Sequence, residues 1–307
     1  MPSSAVVTGA ATGIGRALAV DLLERGVPVL AADRDIPGLE HLVRDVTVEQ
    51  GAHAAARLRT LVCDVRSDED TQALAAAAQE LHSERQDAER ATSGDRATSG
   101  NRASSGASVG TLAPQRLVHC AAVMPAGRLV EVPTSDVLAA MDLDYGGTVR
   151  VVHPIAAAMV ARGSGEIVLF GSVAGDVLST DLGAYSAAKA AVNAYGEVLA
   201  RELADTGVTV RVVAPAVVRT GLMARLSPKA PGALRSLVRR GKGHAPEDFT
   251  GIVDAALNAS APVRRPGSAQ FYHVARRVSP AITLAASTWL SRRERSRERA
   301  RPRDDEA

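Results

Sequence analysis

Aromatic side chains are scarce in this chain, with one Trp, three Phe and four Tyr making up 3% of its residues. Any core it builds is therefore packed from Ala, Val and Leu. Lysine is scarcer still relative to its partner cation: only Lys189, Lys229 and Lys242 occur, beside 33 arginines. Cys63 and Cys120 are too few for a disulfide framework. The seven histidines show no H-x-x-x-H or Cys-paired spacing, so no metal site is expected. No apolar run reaches the length of a bilayer span, the longest being the 13 residues from Val278 to Leu290, which include Ser and Thr. A net charge of +2 is too small an imbalance to point to nucleic acid, and no recognition motif supports one. The first apolar stretch runs straight into a glycine loop, so no signal peptide is expected.

What the chain does contain is a hydrophobic fraction of 46% over 307 residues, enough for one large domain with appendages. The most informative stretch is Gly165 to Asn193. An apolar run from Ile167 to Phe170, flanked by glycines and followed by Ser172, has the form of a buried parallel strand ending in a loop. Beyond the loop, Tyr185 and Lys189 stand four apart in an alanine-rich helical pattern, which puts a phenol and an ammonium on one face. A free tyrosine titrates near pH 10, too high for a base at neutrality. A fixed cation beside it favours the phenolate and draws that value toward the working range.

A second motif stands at the amino terminus. Residues Thr8 to Gly15 read T-G-A-A-T-G-I-G directly after Ala5, Val6 and Val7, and open an apolar-periodic segment with Ile14, Leu18 and Leu22. Strand, glycine turn and helix start form the setting of a phosphate-binding loop, in which backbone approaches a pyrophosphate and the helix terminus supplies N–H groups. Together with Ser172, Tyr185 and Lys189, this loop makes the chain resemble the short-chain dehydrogenase/reductase family over roughly Ser3 to Thr220, apart from one insertion.

The resemblance implies an α/β fold, a doubly wound (Rossmann) parallel sheet flanked by helices in a single domain. It implies an NAD(P)-dependent oxidoreductase that moves hydride between the nicotinamide and a secondary alcohol or ketone. Tyr185 would be the general acid or base, Ser172 would hold the substrate oxygen, and Lys189 would tune the phenol and grip the nicotinamide ribose. Gly9, Thr12, Gly13, Ile14 and Gly15 would cradle the dinucleotide. Asp64, followed by Val65, matches an adenine contact. Ala121 would line the adenine pocket, and Val218 and Thr220 would meet the nicotinamide carboxamide. A homodimer or homotetramer is implied as well. In the implied strand order Cys63 and Cys120 end strands that are not neighbours, so no disulfide is expected and a cytoplasmic location fits.

Asp33, at the end of the expected second strand Val27–Ala32, can accept both ribose hydroxyls of NAD and repel the 2′-phosphate of NADP. Arg34 next to it is able to hold that phosphate, so NAD is favoured and NADP stays open. Two positions depart from the family pattern. His119, Cys120, Ala121 and Ala122 replace an N-N-A-G run, and Met141 to Gly147 read M-D-L-D-Y-G-G, with Asp144 where the family has an asparagine. Asp144 is expected to act on the catalytic set by raising the pKa of Lys189 and lessening its pull on Tyr185. These changes motivate the alternative reading, a dinucleotide-binding sensor or scaffold that has lost turnover.

The expected domain spans residues 1–260. Within it, residues 83–113 carry three hexapeptides from Glu89, Asp95 and Asn101 and read as a disordered insertion. Residues 221–245 read as an apolar lid over a hydrophobic substrate. Residues 261–307 form a helix and a basic tail, which docks on the domain, covers a partner subunit, or makes peripheral contact with an anionic membrane.

Overall fold

Neighbouring residues of the first strand enter different apolar layers: Val7 packs among helices on one side of a sheet, and Val6 among helices on the other. This two-residue period, with both faces covered, is what a central parallel strand requires. The computed structural model describes residues 1–92, 114–224, 230–283, 285, 288 and 289. In chain order the elements are β1 (Ala5–Thr8), α1 (Gly13–Glu24), β2 (Val29–Asp33), α2 (Ile36–Gln50), α3 (Ala52–Ala55), β3 (Leu58–Val62), α4 (Asp68–Thr92) and β4 (Arg116–His119). There follow α5 (Thr134–Met141), a π-helical turn (Asp142–Gly146), α6 (Gly147–Arg162), β5 (Gly165–Phe170), α7 (Gly183–Glu202) and β6 (Val208–Val213). The chain continues through α8 (Gly221–Ala224), α9 (Gly232–Arg239), α10 (Phe249–Leu257), β7 (Val263–Arg264) and α11 (Ser268–Val278).

The described strands form one parallel sheet in the order β3-β2-β1-β4-β5-β6-β7. Leu18, Leu22, Leu42, Phe249 and Val253 from α1, α2 and α10 cover one face. Leu74, Val151, Ile155 and Met159 from α4 and α6 cover the other. The strand order reverses between β1 and β4, which opens a crevice at their carboxyl ends, where doubly wound sheets take their ligands.

Three details differ from the sequence reading. Helix α4 continues to Thr92, so the stretch from Ser83, expected to be disordered, begins as helix. Its Glu, Arg, Gln and Ala residues are good helix formers and extend the helix without needing an apolar face. Residues 93–113, the remainder of that expected insertion, lie outside the described residues, as do 225–229 of the expected lid and 290–307 of the tail. The sheet also takes a seventh strand, β7, from beyond residue 260, where two residues suffice to pair with Val212 and Val213. The expected second strand, Val27–Ala32, is shifted to Val29–Asp33, so that Asp33 itself belongs to the ladder.

Candidate active site

The glycine loop is dictated by its own crowding. Gly9 has a left-handed φ of 66°, and a Cβ there would lie 2.7 Å from the backbone nitrogen of Ala121. A Cβ on Gly15 would lie 2.2 Å from the Gly9 carbonyl oxygen. The loop therefore folds on itself and on the end of β4, as only bare backbone allows. Thr12 caps α1 without a side-chain hydrogen bond, which leaves the first-turn N–H groups to an anion in the crevice. This narrow, donor-lined cradle fits a dinucleotide pyrophosphate.

Asp33 is held by backbone. Ala11 N–H donates to its Oδ2 at 3.0 Å and Asp35 N–H to its Oδ1 at 3.0 Å. Arg34 is half exposed, and its Nη1 lies 3.9 Å from Asp64 Oδ2. The Arg66 guanidinium, hydrogen-bonded to Asp64, holds that carboxyl down at about 2. A carboxylate thus stands at the carboxyl end of β2, while the neighbouring guanidinium leans toward the end of β3.

Ser172 follows β5 and is fastened to α7 by Asn193. Ser172 N–H donates to Asn193 Oδ1 at 3.3 Å, and Asn193 Nδ2 donates to the Ser172 carbonyl at 3.0 Å. The fit is tight: a Cβ on Gly171 would meet Asn193 Oδ1 at 1.9 Å, and one on Gly175 would meet Ala190 N at 2.7 Å. Tyr185 and Lys189 project from the same face of α7, both buried. Lys189 Nζ donates to the Phe170 carbonyl at 3.0 Å and lies 5.9 Å from the Tyr185 ring centroid. Burial raises the Tyr185 pKa, the Lys189 charge opposes that rise, Asp144 adds to it, and a hydrogen bond with Ser172 works against it.

The π-helical turn aims Asp144 inward, beneath the lysine. Its Oδ1 accepts from Val123 N–H at 2.8 Å, its Oδ2 lies 3.4 Å from Lys189 Nζ, and its carbonyl accepts from Thr148 Oγ1 at 2.5 Å. Burial raises the Asp144 pKa against the pull of Lys189. For Lys189, burial disfavours the charge, but Asp144 and Tyr185 outweigh it and the net shift is upward.

Gly9, Thr12, Gly13, Ile14, Gly15, Asp33, Arg34, Asp64, Val65, Ala121, Ser172, Tyr185, Lys189, Val218 and Thr220 all line a single cleft. Asp144 is absent from the lining and sits behind Lys189. His119 bonds one strand to the next, its Nδ1 lying 2.8 Å from Thr8 Oγ1 across β4 and β1. Burial and the Lys189 charge push His119 down to about 3, which keeps it neutral. Cys120 is half-buried and lines the cleft, with its thiol pushed up by burial.

The sequence reading missed Asn193, Gly171 and Gly175, whose signal was two glycines around Ser172 and an amide four residues after Lys189. It also missed Phe170 and Leu143 in the lining, whereas Leu222 and Met223, which also line it, belong to the expected lid. Among the described residues, no group of three or more His, Cys, Asp or Glu is placed to hold a metal ion.

Comparison with known proteins agrees with this architecture. The chain is 33% identical over 266 residues to the cyclohexanol dehydrogenase of Rhodococcus sp. (strain TK6), covering 81% of this chain and 87% of that protein. It is 30% identical over 233 residues to the short-chain reductase protein NovJ of Streptomyces niveus, covering 75% and 74% respectively. A short chain dehydrogenase/reductase from Burkholderia phymatum, solved in complex with NAD, superposes with a TM-score of 0.71 at 23% identity, over 90% of this chain and 95% of that one. A single-substitution variant of the actinorhodin polyketide ketoreductase, solved with NADPH, gives a TM-score of 0.67 at 24% identity, over 86% and 95%. Residues 3–86 and 104–231 match the short chain dehydrogenase family, so this chain belongs to that family of oxidoreductases.

Proposed function

We propose that this protein is an NAD-dependent dehydrogenase/reductase that interconverts an apolar secondary alcohol and its ketone. The observation that carries the reading is that Tyr185, Lys189 and Ser172 line the same cleft as the glycine loop and Asp33. A bound dinucleotide supplies or takes the hydride. In reduction, Tyr185 Oη–H gives its proton to the substrate oxygen, and the phenolate left behind is stabilised by the Lys189 ammonium. Ser172 Oγ–H donates to the same oxygen and orients it. In oxidation, the phenolate removes the hydroxyl proton.

Asp33 favours NAD, because its carboxylate is fixed by two N–H groups where a 2′-phosphate would have to lie. Phe170, Val123, Leu143, Leu222 and Met223 give the cleft an apolar wall suited to a hydrophobic substrate. Similarity to a cyclohexanol dehydrogenase favours a cyclic alcohol. The free thiols of Cys63 and Cys120 suit a reducing cytoplasm. Assembly into a homodimer or homotetramer is part of the same reading and rests on the family.

The test is incubation with NAD or NADP and a panel of cyclic and open-chain secondary alcohols, followed by the absorbance of reduced cofactor. Turnover with NAD in preference to NADP is expected. Cofactor binding without turnover of any alcohol or ketone would favour the sensor or scaffold instead.

A further inference from the structure

The turn that carries Ser172 is anchored from outside the cleft. Ser172 opens a short 3-10 turn, Val173–Gly175, and its Oγ accepts from Ala174 N–H at 3.1 Å. That contact engages the oxygen as an acceptor and leaves the Ser172 O–H to donate into the cleft. The turn closes through Asp176 N–H, which donates to the Val173 carbonyl at 2.9 Å. Val173, Ala174 and Gly175 carry no polar side-chain atom. The first side chain after Ser172 able to hold the turn by hydrogen bonds is therefore Asp176.

Asp176 is held from two directions by the segment after residue 260. Arg265 Nε donates to its Oδ2 at 2.7 Å and Arg265 Nη2 to its Oδ1 at 3.3 Å, a two-point fork. His273 Nδ1, on α11, lies 3.1 Å from the same Oδ2. Side-chain exposures of 17% for Asp176, 10% for Arg265 and 16% for His273 set this cluster apart from surface ion pairs, which hold little. Neither partner of Asp176 is free to drift. Arg265 follows β7, which pairs with Val212 and Val213 of the sheet, and the Arg264 carbonyl accepts from Ala214 N–H at 2.8 Å. Helix α11 is seated through Ala269, which is fully buried. On the other side of the turn, Val173 N–H donates to the carbonyl of Pro215, a residue of the cleft wall, at 2.9 Å. Asp176, Arg265 and His273 are all absent from the lining, so whatever they do for the chemistry passes through the turn.

We propose that Asp176, clamped by Arg265 and His273, is a positioning residue for Ser172 and sets the direction of its O–H toward the substrate oxygen. The role rests on the dehydrogenase/reductase activity proposed above. The test is a double-mutant cycle in kcat between Asp176→Asn and Ser172→Ala, run well below the melting temperature of every variant. Asp176→Asn alone should lower kcat about tenfold, the effect of a misdirected hydroxyl, while NADH affinity stays at the parent's value. On the Ser172→Ala background the same substitution should cost less than about twofold, because the group it directs is gone. A clamp that served the fold alone would lower the melting temperature without this coupling. Arg265→Lys keeps a cation against Asp176 but loses the two-point hold, and should melt close to the parent with kcat lower by about threefold. Losses that add in full across the cycle would overturn the proposal. So would a parental kcat in folded Asp176→Asn or, where that variant does not fold, in Arg265→Lys. A parent that binds NADH and turns over no alcohol or ketone would overturn the activity itself, and this role with it.

Discussion

The carboxylate of Asp144 lies 3.4 Å from the Lys189 ammonium, and neither side chain is more than 4% exposed. One cation therefore serves two anions, this carboxylate and the Tyr185 phenolate, and what it gives to the first it withholds from the second. Asp144→Asn removes the competitor while keeping an oxygen for Val123 N–H. Because Asp144 acts to raise the Tyr185 pKa, its loss lowers that pKa, and the phenolate forms at lower pH. The acid limb of the oxidation profile should move to lower pH in the variant, measured as kcat/KM against pH. Superimposable profiles would remove Asp144 from the proton chemistry.

Asp33 should set the choice between cofactors. Asp33→Asn keeps the side chain's size but loses the charge that opposes a 2′-phosphate. A charged hydrogen bond contributes about 1.5–3 kcal/mol, so the preference for NAD over NADP should fall by roughly ten- to a hundredfold. The ratio of kcat/KM values for the two cofactors checks this, and an unchanged ratio would shift attention to Arg34.

Gly15→Ala places a methyl 2.2 Å from the Gly9 carbonyl oxygen, inside the contact that shapes the cradle. Backbone must move there, and cofactor affinity should drop by at least about tenfold, with about 1–3 kcal/mol of stability lost. Fluorescence titration with NADH and thermal melting report the two effects separately.

Asp176 joins the carboxyl-terminal segment to the active-site loop, accepting from Arg265 Nε at 2.7 Å with His273 at 3.1 Å. Asp176→Asn leaves a largely buried guanidinium without its counter-charge, and should cost about 1–3 kcal/mol. The expected readout is a melting temperature lower by several degrees. An unchanged melt would mean that α11 is held mainly by packing.

Local sequence was enough to place a residue where its position depends on its immediate neighbours. The glycine loop follows from a strand running into T-G-A-A-T-G-I-G, and the pairing of Tyr185 with Lys189 from helical spacing; both lie in the cleft. The bond of His119 to Thr8 depends on register between β1 and β4, which sequence spacing does not specify. The same holds for Asn193, which reaches Ser172 only because α7 packs across the loop after β5. Strand β7 escaped notice because two residues carry no periodicity, and the full extent of α4 because residues 84–92 carry no apolar spacing in sequence.

The central claim is that the Tyr185 hydroxyl carries the proton while the bound dinucleotide carries the hydride. Tyr185→Phe keeps the ring packed beside Lys189 and leaves the glycine loop intact, so the variant should still bind NADH. Its kcat for the best alcohol should fall by about 10²–10⁴, the usual worth of a positioned acid or base. A variant that binds NADH and turns over at the parent's rate would contradict the account.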